Sequence, residues 1–448
     1  MKREKYALIS LYSLKPLFIR EKNAIIKKMN TEEFFARHNF KTVMITDALV
    51  KEMTDAFTQD KATKDRGRGP DMFRTWKAVP EKIPSDTKII VIDAGGTNFR
   101  SCLVTTGRDG RFSVSDFRKT SMPALDREFS REEFFNAIAD NIDYLKDKAE
   151  RIGFCFSYSM DITKDGDGIP NAFSKEIKAK EVLGNPVGKN LLEVLRKRGW
   201  KNIQSIRLLN DTVAALLAGC ACSTQKYRSY IGFILGTGIN AAIVYKNDAL
   251  KIERQIIVEE IGKSVSVPLS DFDVEFDKTT ENPGQYPLEK CCSGAYMGGA
   301  VLTALHAACR EGLFRAETAD SILKMNLLST IEVNAFLSGQ NSPFDFVREE
   351  SDRKTLLAIM DGFVDRCAKI AASIIESSLI LTAQACPEND EVSVCVLCNG
   401  STFYKMHGLK ERIEFNLNQS KTVQNGLKYE LVSMDNDICI GTAVAGLL

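Results

Sequence analysis

Asp93-Ala94-Gly95-Gly96-Thr97-Asn98-Phe99-Arg100 is the first grouping in the chain able to handle an anion. Two glycines let a backbone turn tightly and bring its N–H groups close to phosphate oxygens. Thr97 adds a hydroxyl, Asn98 an amide and Arg100 a cation, while Asp93 can hold magnesium through water. An ordinary Gly-Gly hairpin explains the glycines alone; Asp before them and Thr-Asn-x-Arg after them favour phosphate. Leu235-Gly236-Thr237-Gly238-Ile239-Asn240-Ala241 is a second glycine turn. It matches the dinucleotide fingerprint on paper, but that motif demands a following helix, and Ala242-Ile243-Val244-Tyr245 is a strand pattern. A second phosphate-gripping hairpin fits better. Asn210-Asp211-Thr212 stands where an apolar strand gives way to a helix. Helix capping is the plainer reading of that triplet. A carboxylate there can also take the proton of an alcohol attacking a phosphoryl group, a reaction that asks a protein for positioning, charge neutralisation and one oriented base.

The elements that must hold these residues alternate between strand and helix. Ile89 to Ile92 and Phe99 to Val104 read as strands around the first turn, and Tyr230 to Leu235 and Ala241 to Tyr245 as strands around the second. Ser130-Arg131-Glu132-Glu133 is a capping box that predicts a helix through about Ile152, with Phe134, Ile138, Ile142 and Leu145 at helical spacing. Gly153 to Tyr158, Ser205 to Leu209 and Val392 to Leu397 read as further strands, the last running into Asn399-Gly400-Ser401. Long helices are predicted at about Tyr296 to Glu311 and Leu356 to Ala383, and the polar stretch Lys61 to Asp71 as a loop or linker. The order strand, glycine hairpin, strand thus occurs twice, each copy followed by helices and more strands. That implies two α/β lobes on a related plan, with a cleft between them as a natural ligand site.

Composition narrows the function classes. The 448 residues carry a formal net charge of +1, which gives no reason to expect nucleic acid or an acidic membrane as the main partner. Twelve cysteines without regular spacing in a long chain suit reduced, mostly buried thiols in a cytoplasmic protein. His38, His306 and His407 are too scattered to suggest a metal cluster. Tyr6 to Leu14 is a faint signal-peptide pattern broken by Lys15-Pro16, and Met29 is a second plausible start, so a soluble chain is expected.

Taken together, the motifs resemble those of hexokinases and glucokinases. Asp93 to Arg100 is similar to the family's first phosphate motif, Phe156-Ser157-Tyr158 to its sugar-binding strand, and Leu209 to Val213 to its catalytic segment. Gly236 to Ala241 resembles the second phosphate motif, Asn282 to Gly294 the stretch with a sugar-binding glutamate, and Asn399-Gly400-Ser401 with Tyr404-Lys405 the adenosine motif. They run in family order from about residue 85 to 448.

The resemblance implies a two-lobed actin-like ATPase fold that phosphorylates the 6-hydroxyl of glucose or a related hexose with Mg-ATP. It makes Asp211 the general base, with Lys175 neutralising charge on the transferred phosphoryl. Ser157, Ser174, Lys175, Asn210, Asp211, Asn240, Glu260 and Glu289 would contact the sugar. Asp93, Gly95, Gly96, Thr97, Asn98, Arg100, Gly236, Thr237, Gly400 and Ser401 would serve the nucleotide, with Asp93 toward magnesium. The expected division is residues 1–84 as an extension and part of the large lobe, 85–208 as the small lobe, 209–440 as the large lobe, and 441–448 as a helix returning to the small lobe. The sugar side departs from the pattern. Ser159-Met160-Asp161 replaces a proline after the sugar strand, Glu260 lacks the usual Asn two residues before it, and Met72 to Trp76 replaces Leu-Pro-Thr. A hexose-binding sensor with little turnover is the alternative those departures raise, and a plain actin-like ATPase is a third reading.

Overall fold

The structure, a computed structural model, describes residues 30–59, 67–173, 177–222, 227–386 and 392–448. Its strands in chain order are β1 (Phe73–Arg74), β2 (Thr87–Gly95), β3 (Asn98–Thr106), β4 (Phe112–Ser121), β5 (Arg151–Phe156), β6 (Met160–Ile162) and β7 (Gly168–Pro170). They continue with β8 (Ser205–Leu209), β9 (Ser229–Leu235), β10 (Ile239–Asn247), β11 (Ile252–Val258), β12 (Val394–Asn399) and β13 (Tyr429–Val432).

Two sheets organise the chain. One has the order β4-β3-β2-β5-β8 and the other β1-β11-β10-β9-β12-β13, with β6 and β7 forming a separate hairpin. In the first sheet β2, β5 and β8 run parallel, so Asp93, Ser157 and Asn210 all lie at or just past one carboxyl edge. In the second, β9 and β12 are parallel neighbours, which sets Gly236 beside Gly400 at the corresponding edge. Carboxyl edges of parallel strands are where open α/β sheets bind ligands.

Helices fill the space between and around the sheets. Asp211–Cys222 packs on β9, and Asp437–Leu447 packs on β5 and β2, with the two helices against each other. Gly232 on β9 lies against the Thr212 carbonyl, Gly441 against the Ala214 carbonyl and Gly153 on β5 against the Thr442 carbonyl, each too close to admit a Cβ. These contacts make a sheet–helix–helix–sheet stack with backbones nearly touching. The 36-residue helix Glu350–Ala385 runs under β10 and β9 on the far side, with apolar side chains along much of its length buried.

The capping box at Ser130 and Glu133 forms as expected. Its helix, however, ends at Ile142 and continues only as the 3₁₀ turn Asp143–Leu145. Lys146 is extended and Asp147 takes a positive φ of 63°, so the chain reverses and Ile152 lies in β5. Residues 67–71, the described part of the stretch read as a loop or linker, form a loop that is bound down. Gly69 donates to the Lys263 carbonyl at 2.6 Å and Asp71 to that of Glu259 at 3.0 Å.

Gly441→Ala should cost about 1–3 kcal/mol, the usual range for overpacking a tight contact, measured by urea denaturation. An unchanged midpoint would mean that the two central helices do not meet there.

Candidate active site

The two glycine turns form as hairpin ends. In the β2–β3 turn Gly95 pairs with Asn98, and Gly96 has φ +55°. The Tyr158 hydroxyl donates to the Gly96 carbonyl at 2.9 Å, and Met122 N–H to that of Thr97 at 3.0 Å. Gly96 and Thr97 are exposed at the lip. Asp93 is buried three residues earlier on β2, and Arg100 on β3 donates to its Oδ2 at 2.6 Å. Burial raises the Asp93 pKa, partly offset by Arg100.

Gly236, in the β9–β10 turn, accepts at its carbonyl from Thr402 Oγ1 at 2.8 Å and from Gly294 N–H at 2.9 Å. Gly400 begins the short helix Ser401–Lys405 with φ +115°, and a Cβ there would collide with the Leu235 carbonyl. Both requirements exclude other residues. Thr237 and Ser401 stay exposed beside this junction. Asn399 at the end of β12 donates to Asp437 Oδ2 at 2.5 Å, tying the adenosine-like motif to the start of the last helix.

At the β8–helix junction the capping reading is realised by Asn210, whose Oδ1 accepts from Thr212 N–H at 2.9 Å and from Thr212 Oγ1 at 2.6 Å. Asp211 Oδ1 also accepts from Thr212 N–H, at 2.8 Å. Asp211 keeps a partly open face, yet surrounding protein atoms strip water from it. That burial pushes its pKa up to about 7, helped by the charges of Glu260 and Asp93 and resisted by the Thr212 N–H.

Of the remaining site residues, all but Ser157 lie around the second sheet. β11 runs antiparallel to β10, so Glu260, just beyond its end, falls beside Asn240 at the start of β10, and Asn240 Nδ2 donates to Glu260 Oε1 at 3.0 Å. Glu260 itself has φ +51°. Glu289, on the helix Pro287–Cys292, accepts from Ile239 N–H at 3.0 Å. Burial lifts its pKa to about 7, with Glu260 adding to the rise. Ser157 sits against Gly95 with its hydroxyl 3.7 Å from Cys155 Sγ. Ser174 and Lys175 lie outside the described residues.

The geometry thus sets Asp211 within electrostatic reach of Asp93 and Glu260, and Glu260 within reach of Glu289, between the carboxyl edges of two sheets. Asp71, Lys263 and Glu259 escaped sequence reasoning. Lys263 is 4% exposed, and its ammonium lies 2.5 Å from Asp71 Oδ2 and 3.7 Å from Glu260 Oε2. The basic residue three places after Glu260 was the available signal. Glu259 is fully buried, with only Ser378 Oγ donating to Oε1 at 2.7 Å, and its pKa rises by burial to about 8. Its apolar surroundings were invisible without the fold.

Two family descriptions, both named "Hexokinase", match residues 28–221 and 230–448, nearly the whole chain. The chain belongs to the hexokinase family. Hexokinase-2 of Solanum tuberosum is 28% identical over 315 residues, 64% of this chain and 63% of that relative. Hexokinase-1 of Schizosaccharomyces pombe is 27% identical over 321 residues, 65% of each. The match therefore spans just under two thirds of the length of these two relatives. Glucokinase-1 of Kluyveromyces lactis is 24% identical over 371 residues, 72% of this chain and 76% of the relative. Among solved structures, a Schistosoma mansoni hexokinase complexed with glucose superposes with a TM-score of 0.69 at 20% identity, covering 96% of this chain and 99% of its own. A second hexokinase structure gives 0.70 at 18% identity, with coverage of 96% and 99%. The fold is therefore the two-lobed actin-like α/β architecture of hexokinases; the paired hairpins implied the two lobes, and the family resemblance the actin-like plan.

The raised pKa of Asp211 has a consequence for stability. The folded protein holds a proton that the unfolded chain has already released, so this group's contribution is full below the ordinary carboxylate range and is lost as pH rises through about 7. Asp211→Asn removes that loss. Its Tm should exceed the parent's near about pH 8 and converge with it toward about pH 4. A Tm difference independent of pH would show that Asp211 titrates as an ordinary carboxylate.

Proposed function

We propose that this hexokinase-family chain transfers the γ-phosphoryl group of ATP to the 6-hydroxyl of glucose or a related hexose. The observation that carries the reading is Asp211: a crowded carboxylate with a pKa near 7, at a helix start on the carboxyl edge that also bears the first glycine turn. A general base works best with its pKa near the working pH, and such a base is worth roughly 100- to 10,000-fold in rate.

In this reading the hexose lies among Asn210, Asp211, Asn240, Glu260, Glu289 and Ser157, with Ser174 and Lys175 completing the contacts. Asn210 is oriented by its bonds to Thr212, which leave its amide N–H₂ to donate to a hydroxyl. Glu289, one oxygen anchored on Ile239 N–H, offers the other to a sugar hydroxyl. Asp211 takes the 6-hydroxyl proton as the oxygen attacks. The turns at Gly95-Gly96-Thr97-Asn98 and Gly236-Thr237, with Gly400 and Ser401, cradle ATP, and Arg100 adds positive charge near its phosphates.

No group of three or more His, Cys, Asp or Glu that could hold a metal ion occurs among the described residues. Magnesium is usually held by one or two carboxylates together with substrate phosphates and water. A single carboxylate, Asp93, beside the first turn fits that donor set. Bound there, the ion would supply charge neutralisation on the phosphates. A hexose-binding sensor with little turnover is the second reading, favoured by the occupation of Glu260 by Asn240 and Lys263.

A coupled ADP-release assay with a hexose panel tests both. Hexose-dependent release is expected, with kcat/KM falling as pH drops below about 7 and Asp211 takes up its proton. Asp211→Asn should keep hexose binding by calorimetry and retain less than about a tenth of turnover. Hexose binding without release would favour the sensor, and hexose-independent release a plain ATPase.

Glu289→Gln should flatten the preference for the best hexose over its deoxy analogues, because a buried carboxylate makes charge-assisted bonds to hydroxyls. Ser157→Ala should lower kcat/KM on both more evenly. The reverse ranking would move recognition to the wall near Ser159.

A further inference from the structure

Lys263 is a buried cation beside the carboxylates of the candidate site. It lies in the 3₁₀ turn Ile261–Lys263 that follows Glu260. Gly262 in that turn is packed so closely that an added Cβ would come 3.2 Å from Glu289 Cβ. The turn therefore joins the two glutamates of the proposed sugar wall. The ammonium is fixed from several sides. Asp71 Oδ2 is at 2.5 Å and Glu260 Oε2 at 3.7 Å, and the rings of Phe73 and Tyr286 are 5.9 and 5.7 Å away.

The proton inventory of this group is informative. An ammonium has three N–H donors and no acceptor. One goes to Asp71, and a second points toward Glu260. Glu260 in turn has Oε1 taken by Asn240, so both of its oxygens face positive or donor groups of the protein itself. Glu260 is thereby less a free acceptor for substrate than a clamp that aims Asn240 and Lys263. Burial works to lower the Lys263 pKa, but Glu260 and Asp71 outweigh it, so the group stays charged.

We propose that Lys263 is a specificity-determining residue of the sugar site, whose ammonium favours a hexose presenting hydroxyl oxygen and disfavours one carrying its own ammonium. The inference rests on the hexose kinase reading. A wall of glutamates alone would attract an amino sugar. With Lys263 buried beside Glu260, a substrate amine near Glu260 meets a fixed like charge in a poorly screened pocket, whereas a neutral hydroxyl meets no such repulsion. Asp71, reached from the segment that precedes β1, sets how much of that charge is felt.

The test compares kcat/KM for glucose and glucosamine, at a pH where the amine is protonated, in the parent protein and two variants. Lys263→Met should shift the glucose-to-glucosamine ratio toward the amino sugar by about 10-fold or more, and Lys263→Arg should restore it. Asp71→Asn, which leaves the ammonium less neutralised, should move the ratio the other way, and it serves even where Lys263→Met folds poorly. A merely structural strut would lower both sugars together, so an unchanged ratio in both Lys263→Met and Asp71→Asn overturns the proposal and leaves the kinase reading intact. Absence of turnover and of calorimetric binding with either sugar on the parent protein overturns both.

Discussion

Gly441 lies so close to the Ala214 carbonyl that a methyl group has no place between them, and much of the molecule follows from that contact. The helices that meet there each belong to a different sheet: Asp211–Cys222 lies on β9, and Asp437–Leu447 on β5 and β2. Backbones can approach this nearly only where side chains are absent, so Gly232 and Gly153 repeat the arrangement on the outer faces. The distance between the sheets is thereby set by glycine contacts together with the apolar side chains packed around them, among them Val213, Leu217 and Val444. A helix with one end in such a stack has a well-defined start, and Asp211 is its first residue. The carboxylate is positioned by the same packing that joins the lobes.

That position also explains its electrostatics. Asp211 lies at the start of a helix, where the backbone N–H groups favour negative charge, and Thr212 N–H does lower its pKa. Burial and the charges of Glu260 and Asp93 work the other way and prevail. The cleft gathers more negative charge than its few cations offset. Arg100 answers Asp93, and Lys263 answers Asp71 and Glu260. Asp211 and Glu289 form no ion pair among the described residues, Lys263 and Lys290 only partly offset the burial of Glu289, and both groups titrate near 7. The carboxylates that the fold neutralises are held in place. Those it leaves uncompensated have most to gain from a bound donor.

The legible part of this design was local in sequence. Both glycine hairpins, the strand-to-helix step at Asn210-Asp211 and the capping box at Ser130 depend on residues within a few positions of one another. Their chemistry could be read before any contact was known. The helix after Ser130 marks the boundary of that method. Its apolar spacing continues through Leu145, and all of those side chains are buried, but the backbone leaves the helix because residues 151–156 pair between β2 and β8. Strand pairing overrode periodicity. The loop reading of Lys61 to Asp71 holds in its described part, but polar composition cannot distinguish a solvated loop from one whose N–H groups are taken by the Glu259 and Lys263 carbonyls.

Charges buried at long range were beyond sequence reasoning altogether. Arg366 makes a two-pronged bond to Asp273, 93 residues away, inside a core of aromatic rings that includes Phe40 and Phe363. Lys263 and Asp71 are 192 residues apart. Each member of these pairs is an ordinary surface residue by type, and only the fold removes it from water. Once buried, a lone charge is far costlier than a paired one, so these partners are constrained as strictly as Asp211, although no motif announces them. The first glycine turn and Asp211 announce themselves by residues that adjoin in sequence. Asp71, Lys263 and Glu260 are brought together only by the fold.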